Sequence, residues 1–180
     1  ELNKRLQEAV NPPENSKPEI TINGMMFRVG DKVMQIKNDY DIPWSKPDGT
    51  GGTGVFNGDV GILCSIDRTT ETIRIRFDDR DAVYSFETAG NLDLAYATTV
   101  HKSQGSEFEA VIMPMYPGPP QLYYRNLLYT AVTRAKSLLV MVGVPSVVQT
   151  MVENDRRTKR YSGLCCFLNG PSAEKELDAE

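Results

Sequence analysis

The sequence lacks the features that mark membrane and secreted proteins. No hydrophobic run approaches the ~20 residues of a membrane-spanning helix, and the first residues do not form a signal-peptide pattern. The three cysteines cannot make a paired disulfide framework, and the adjacent Cys165 and Cys166 are poorly placed to bridge each other. We therefore expect a cytoplasmic protein with reduced thiols and no membrane contact.

The sequence also lacks an excess of basic residues. Its 180 residues include 20 Lys and Arg against 24 Asp and Glu, a net charge of −4. A protein that coats nucleic acid with its whole surface needs more positive charge, although a narrow track on an acidic body remains possible. Residues 156–160 form the one basic run of the sequence. We interpret it as a solvent-exposed face, and a contact with DNA or with another domain is the alternative.

Residues 1–88 begin with a helix and continue as short strands. An amphipathic helix over residues 1–10 is stopped by Asn11-Pro12-Pro13. Since the chain starts inside this element, we expect it to be a piece of a longer protein. Short β-branched segments separated by turn signals then predict five or six strands and a small antiparallel barrel. They cover residues 20–22, 26–29, 32–36, 60–66, 72–77 and 83–86.

Two polar stretches interrupt the strands. The glycine-rich residues 42–54 predict a flexible hairpin tip, on which Trp44 and Lys46 are plausible DNA contacts. Asp78, Asp79 and Asp81 could suggest a cation site, but a charged hairpin turn has the same composition. We predict no metal site in the chain, since His101 has no Cys or His partners either.

From Asn91 the pattern becomes α/β. Strands are predicted at residues 94–98, 110–115 and 137–144, the last of them buried, since continuous apolar strands are typical of parallel sheets. A short helix from Val100, a helix over 121–136 and a helix from 145 lie between or after them. The order indicates a parallel sheet with flanking helices, into which the barrel is inserted.

The residues Ala95–Phe108, AYATTVHKSQGSEF, gather nearly every polar side chain that can bind phosphate or ribose. If they follow a parallel strand, they lie at the end of the sheet where ligands bind, and helix N-termini there attract anions. Gly105 would permit close approach of the backbone. A turn rich in capping residues is the alternative explanation.

The residues Asn126–Lys136, NLLYTAVTRAK, place Arg134 on the flank of the predicted helix, near its last turn. An arginine there can reach a neighbouring site. It can equally be a helix-terminal cation stabilised by the macrodipole.

These two segments resemble the last two conserved motifs of superfamily-one helicases, specifically the RecD-like branch. LNKRLQEAVNPP, FRVGDKVMQIKNDYD and VFNGDVG are similar to the same branch and occur in the same order. The resemblance covers residues 1 to about 144. It implies the C-terminal part, domains 2A and 2B, of an ATP-dependent DNA helicase that moves 5′→3′.

The resemblance implies a domain division and a fold class. Residues 1–24 and 89–160 would form domain 2A, a RecA-like α/β domain of the P-loop NTPase type that lacks the P-loop itself. Residues 25–88 would form domain 2B, an inserted SH3-like β-barrel, and residues 161–180 a partly disordered tail. The partners implied are single-stranded DNA and an N-terminal RecA-like domain of the same parent chain.

The resemblance also implies roles for individual residues. Arg134 would be the catalytic arginine finger that stabilises charge on the transferring γ-phosphoryl group. Glu107 would accept a hydrogen bond from the ribose of ATP, with Gly105 allowing close approach. Thr99, His101 and Ser103 would hold the backbone of single-stranded DNA without reading its sequence.

A phosphate-cradling loop needs Gly-Lys-Ser/Thr, and Gly-Lys occurs nowhere in the chain. An Asp-Glu pair that could hold magnesium after an apolar strand is also missing. We therefore expect ATP and Mg²⁺ to be cofactors of the full-length protein, and this chain alone to hydrolyse no ATP.

Two alternatives stay open at this point. The barrel could be a binding module that recruits DNA or a partner protein, with vestigial motor motifs. The chain could also be the helicase part of a conjugative relaxase, which only the upstream sequence would decide.

Overall fold

The computed structural model describes residues 1–155, which fall into two compact units, Glu1–Ser106 and a second that begins at Glu107. Predictions for the cysteine pair, the basic run at 156–160 and the tail 161–180 lie outside the described residues. The assignment of residues 1–24 and 89–160 to one domain stays a prediction. No helix within residues 1–155 has the length and apolar character needed to cross a membrane.

The first unit opens with the predicted helix, α1 (Leu2–Val10), followed by an antiparallel hairpin of β1 (Glu19–Ile22) and β2 (Met25–Arg28). The turn residues Asn23 and Gly24 have φ angles of 52° and 79°. Two consecutive positive φ values match the hairpin turns whose twist suits the flanking strands, and Asn-Gly is their preferred sequence. The predicted turn is confirmed.

Seven further strands form one antiparallel sheet with the order β5-β4-β8-β7-β6-β3-β9. The antiparallel pairing is as predicted, whereas closure of the sheet into a barrel stays a prediction. The strands are β3 (Lys32–Gln35), β4 (Asp39–Ser45), β5 (Gly51–Val55), β6 (Val60–Asp67), β7 (Thr72–Phe77), β8 (Arg80–Ser85) and β9 (Leu92–Leu94).

The core of the first unit follows from alternation along these strands. In β7 the side chains of Ile73, Ile75 and Phe77 are buried while Arg74 and Arg76 are exposed. Because successive side chains of a strand point to opposite faces, one face of the sheet covers the core and the other meets water. Ala82 and Tyr84 of β8 continue the buried face.

Besides its hydrophobic core, the first unit is stabilised by hydrogen bonds to a buried carboxylate. Asp31, in the turn between β2 and β3, is fully buried. It accepts hydrogen bonds from the amides of Gln7 and Asn11, from the Arg28 N–H and from the Tyr96 hydroxyl. These donors belong to α1 and the residue that follows it, to β2 and to the segment after β9, so one side chain connects three parts of the unit.

The glycine-rich segment differs from its prediction. Most of residues 42–54 lies in the paired strands β4 and β5, and only residues 46–50 form the tip. A Cβ at Gly52 would lie 2.6 Å from the Trp44 ring. Glycine is therefore needed at this position for the close approach of an aromatic ring. The predicted hairpin is confirmed with a tip shorter than residues 42–54, and its flexibility stays a prediction.

The strand predicted at 94–98 also differs. β9 ends at Leu94 and pairs antiparallel with β3, so it belongs to the large sheet and not to a parallel one. Residues 100–105 form turns where a short helix was predicted. The prediction assumed a parallel strand directly before the polar motif. In the structure the strand before the motif is β9, which pairs antiparallel with β3, a strand distant in sequence.

The second unit contains β10 (Phe108–Met115), α2 (Arg125–Val132), β11 (Ala135–Gly143) and α3 (Pro145–Glu153). β10 and β11 pair in parallel, as predicted for the sheet of this half. α2 is shorter than the predicted helix over 121–136, with a separate short 3-10 turn at Pro120–Leu122 before it. Its buried residues are Leu128 and Ala131, three positions apart and therefore on one face of the helix.

The prediction that the last strand is buried is wrong for the described residues. The exposed fractions of Leu138 and Met141 in β11 are 54% and 46%, and Ile112 in β10 is 73% exposed. The described part of this sheet has only two strands. Apolar side chains that a larger parallel sheet would cover on both faces therefore remain in contact with water.

We predict that Asp31→Ala lowers the free energy of unfolding by at least about 3 kcal/mol, because a buried donor left without an acceptor costs ~1–3 kcal/mol. Tyr96→Phe removes only one hydroxyl and should cost about 1 kcal/mol. Urea denaturation of both variants measures the difference. Equal costs for the two would show that Asp31 is not the shared acceptor on which these contacts depend.

Candidate functional site

The polar motif of the first unit is a compact turn. The Ser103 N–H donates to the Thr99 carbonyl over 3.1 Å, and the Ser106 N–H donates to the Ser103 carbonyl over 3.1 Å. The Thr99 hydroxyl oxygen accepts the Lys102 N–H over 3.3 Å. A turn rich in capping residues was the alternative explanation of this motif, and the Thr99 hydroxyl caps the turn in this way. The cap stabilises the turn that carries His101.

The segment before this turn is held by Asn3 of α1. The Asn3 amide donates to the carbonyls of Leu94 and Ala97 over 2.8 and 3.0 Å, and its oxygen accepts the Ala97 N–H. These are the bonds that a neighbouring strand would otherwise make. One side chain thus fixes the path of the chain where it leaves β9 and enters the motif.

Tyr96 gives the same segment a second attachment. Its hydroxyl donates to Asp31 over 2.8 Å. Burial, together with this hydrogen bond, raises the pKa of the Tyr96 hydroxyl to about 12, so the group keeps its proton at neutral pH. The roles of Asn3, Asp31 and Tyr96 could not be predicted from the sequence, because their partners are distant in sequence and no local pattern indicates them.

The three residues predicted to hold DNA do not share one environment. Thr99 and His101 lie exposed on the turn. Ser103 is buried, and its hydroxyl donates to the Val100 carbonyl over 2.9 Å. The turn therefore presents Thr99 and His101 to solvent, while the Ser103 hydroxyl stabilises the turn from inside. Whether any of the three contacts DNA stays a prediction.

Gly105 ends the turn in a conformation that favours glycine. Its φ is +86°, and a Cβ built there would meet no atom within 4 Å. The left-handed backbone and not crowding therefore accounts for glycine at this position. The open space beside it is compatible with the predicted close approach of a ligand.

The structure brings Glu107 and Arg134 together within the second unit. Glu107 directly precedes β10 and Arg134 directly precedes β11. The Phe108 N–H donates to the Arg134 carbonyl over 2.8 Å. Because the two strands are parallel, both residues lie at the same edge of the sheet. That edge is the amino-terminal one, contrary to the expectation that the motif follows the carboxyl end of a strand.

Arg134 lies in the turn after α2 and not within the helix. Its Nε donates to the Thr130 carbonyl over 3.1 Å and one Nη donates to the Thr133 hydroxyl over 3.3 Å. The guanidinium thus contacts the last turn of α2, where a cation is favourable. These contacts are those expected of a helix-terminal cation, which the sequence left open as an alternative, and they hold the guanidinium against the end of α2.

The Glu107 side chain lies at the surface. Its carboxylate is 3.6 Å from the Lys136 ammonium, and both side chains are more than half exposed. An exposed pair of this kind contributes little to stability. The carboxylate can therefore exchange this partner for a hydroxyl group of a ligand at small cost.

The hairpin of β4 and β5 gives Trp44 and Lys46 other partners. The Trp44 ring packs against Gly52 and lies 5.4 Å from the Arg80 guanidinium carbon. Lys46 forms an ion pair with Asp79. Two groups that the sequence offered as DNA contacts are thus engaged within the first unit. In residues 1–155, no cluster of three His, Cys, Asp or Glu side chains could hold a metal ion.

Two family profiles match the chain. One, described as the ATP-dependent RecD-like DNA helicase SH3 domain, matches residues 2–77. The other, described as the UvrD-like helicase C-terminal domain, matches residues 94–142. The first profile contains α1 as well as most strands of the large sheet, which agrees with the hydrogen bonds that join α1 to this unit.

Curated relatives match the chain over a limited part of their own length. The ATP-dependent RecD2 DNA helicase of Deinococcus radiodurans is 32% identical over 158 residues, 88% of this chain and 20% of that protein. The RecBCD enzyme subunit RecD of Mycolicibacterium smegmatis is 30% identical over 76% of this chain and 22% of its own length. The chain thus spans about a fifth of the curated relatives it matches.

We predict that Arg134→Ala lowers the free energy of unfolding by no more than about 1 kcal/mol, the usual contribution of a cation at a helix C-terminus. Chemical denaturation followed by circular dichroism measures the change. A loss of several kcal/mol would identify Arg134 as a structural residue of the second unit, and would remove it as a probe of function.

Proposed function

The chain belongs to the RecD-like DNA helicases, and on that premise we propose that it is the C-terminal motor portion of an ATP-dependent DNA helicase. The observation that carries the proposal is the juxtaposition of Glu107 and Arg134 at one edge of the parallel sheet. We propose that this edge faces a nucleotide held by an N-terminal RecA-like domain. That domain would supply the phosphate-binding loop and the magnesium ligands, which the sequence of this chain lacks.

In this proposal Arg134 is the arginine finger. A guanidinium stabilises the charge that develops on the transferring γ-phosphoryl group, and such residues contribute roughly 10³–10⁵ in rate. The contacts of Arg134 with Thr130 and Thr133 support this role, because they hold the base of the guanidinium in place before a ligand arrives. Lys136 nearby adds positive charge at the same edge.

Glu107 is the proposed ribose contact. A carboxylate accepts hydrogen bonds from hydroxyl groups, and this one lies 3.6 Å from the exposed ammonium group of Lys136. The left-handed conformation of Gly105, two residues earlier, leaves open space beside the backbone. The weakly paired carboxylate of Glu107 suits a ligand hydroxyl group, and the space at Gly105 suits close approach to the backbone of that residue.

The turn at residues 99–105 is the proposed contact for single-stranded DNA. Thr99 and His101 are exposed and carry groups that hydrogen-bond to phosphate oxygens. Asn3 and the Asp31–Tyr96 pair hold the segment that leads into this turn. A fixed turn presents its polar groups without the entropic cost of ordering them on binding. Travel in the 5′→3′ direction is proposed from family membership.

The exposed apolar strands support a position within a larger domain. Leu138, Val140 and Ile112 would not remain in water in a complete RecA-like sheet. We propose that strands outside this chain extend the β10–β11 sheet and that helices packed on its faces cover these side chains. The activity proposed here therefore belongs to the longer protein, and the chain alone should hydrolyse no ATP.

In the longer helicase we predict that Arg134→Ala lowers DNA-stimulated ATP hydrolysis at least a hundredfold, the lower side of the range for arginine fingers. Binding of single-stranded DNA should be largely retained, because the guanidinium acts on the nucleotide. Steady-state ATPase assays and fluorescence anisotropy with labelled oligonucleotides measure the two properties.

Arg125→Ala is the matched control for this experiment. Arg125 begins the same helix, and its guanidinium bonds the Val152 carbonyl in α3. Its removal should leave ATP turnover within a few-fold of the unaltered protein. Normal ATP turnover in Arg134→Ala would exclude that residue from the mechanism. ATP hydrolysis by the isolated chain would contradict the proposal that another domain supplies the phosphate-binding loop and the magnesium ligands.

For the DNA contact we predict that the double variant Thr99→Ala/His101→Ala weakens binding of single-stranded DNA about tenfold, since each lost hydrogen bond costs about 0.5–1.5 kcal/mol. The loss should be the same for oligo-dT and oligo-dA, because backbone contacts carry no sequence information. Thr70→Ala, which removes an exposed hydroxyl in the β6–β7 turn, is the control. Unchanged affinity in the double variant would exclude this turn as the DNA contact.

A further inference from the structure

Two aromatic rings stand together on the surface of the first unit. Tyr40 at the start of β4 is 65% exposed, and Phe56 just after β5 is 43% exposed. Their ring centroids are 5.8 Å apart with an interplanar angle of 77°. Single exposed apolar side chains are common on proteins, but a contacting aromatic pair is a surface of the kind that binds flat ligands.

The loops that carry the rings are held in place. The Asn57 N–H donates to the Asn38 side-chain oxygen over 2.9 Å, which joins the two loops. The Phe56 N–H donates to the Asp59 carboxylate over 3.0 Å, and Arg80 pairs with the same carboxylate. Gly54 has a φ of +105°, and a Cβ built there would lie 3.5 Å from the Phe56 ring. The pair is thus preorganised, so a ligand need not order it.

The pair lies next to the polar turn of the same unit. A Cβ at Gly58 would be 3.9 Å from the Lys102 carbonyl oxygen, so the loop after β5 approaches the turn at residues 99–105. Phe56 is two residues before Gly58, and two residues span at most about 7 Å of chain. An extended ligand on the turn therefore has the aromatic pair within reach.

The charges around the rings favour contact with the bases of a nucleic acid over contact with its phosphates. Asp39 and Asp41 flank Tyr40, and the Asp39 carboxylate accepts the Asp41 N–H. Carboxylates repel phosphates, so this surface is a poor contact for a DNA backbone. Base faces carry no charge and stack on aromatic rings irrespective of sequence.

We propose that Tyr40 and Phe56 form a stacking platform for bases of single-stranded DNA whose backbone lies on the turn at residues 99–105. The inference rests on the proposed function and adds a second kind of contact to it. The turn holds the backbone through hydrogen bonds, and the aromatic pair holds one or two bases through ring contact. Neither contact distinguishes one sequence from another.

The test uses the longer helicase and two oligonucleotides of equal length. One is oligo-dT, and the other carries a central run of abasic sites that keep the phosphates and lack the bases. The double variant Tyr40→Ala/Phe56→Ala should bind oligo-dT about 5- to 150-fold more weakly, the range that stacking of one base on an aromatic ring spans. It should bind the abasic oligonucleotide with unchanged affinity.

Three controls separate stacking from other effects. Tyr40→Phe keeps the ring and should keep affinity for oligo-dT. Val83→Ala, which removes an apolar side chain 43% exposed on β8 of the same sheet, should change neither affinity. The slope of log affinity against log salt should be the same in the double variant and the unaltered protein, because a base contact releases no counterions.

The outcomes distinguish this inference from the proposed function. Equal loss on both oligonucleotides would show that the pair acts through the protein or through another partner, and would overturn the stacking platform. Unchanged binding of oligo-dT would overturn it as well. If the unaltered helicase binds neither oligonucleotide, the proposed function itself fails. Binding that is lost in Thr99→Ala/His101→Ala and kept in the aromatic variant would retain the function and reject the platform.

Discussion

The Asp31 carboxylate is buried and accepts hydrogen bonds from four donors within residues 1–155, none of which is a guanidinium or ammonium group. Burial of an ionised group is costly unless such donors replace water, so the positions of these donors are strongly coupled. One comes from α1, one from Asn11 just after it, one from the β2 backbone and one from Tyr96. Together with Asn3, this side chain attaches the N-terminal helix to the rest of the unit and sets the path of the chain into the polar turn.

Local sequence patterns were sufficient to predict the structure where the partner of a residue is close in sequence. The Asn23-Gly24 turn, the alternating burial of β7 and the extent of α1 follow from rules that operate within a few residues. They were insufficient where the partner is distant. Ala95–Thr98 reads as a strand in isolation, but the Asn3 side chain takes the backbone groups that a strand would pair, and β9 ends at Leu94.

The residues of the candidate site could be selected from the sequence, but their arrangement in the structure could not be predicted from it. Glu107 and Arg134 could be selected by residue type and resemblance, and the structure places them beside each other. Their position at the amino-terminal edge of the sheet could not be foreseen, because the short helix and the parallel strand assumed before Glu107 do not form. The same holds for Ser103, a polar residue whose hydroxyl is occupied inside the turn, and for Arg134, which the sequence placed within a helix that ends at Val132.

The open β10–β11 sheet has a consequence for the behaviour of the chain in isolation. Within the described residues this sheet has two strands, and its exposed side chains include Leu138, Val140 and Met141. A strand edge that carries exposed apolar side chains is a template on which a second polypeptide can add its own strand. The isolated chain is therefore expected to self-associate through this edge, and a protein that covers the edge would prevent it.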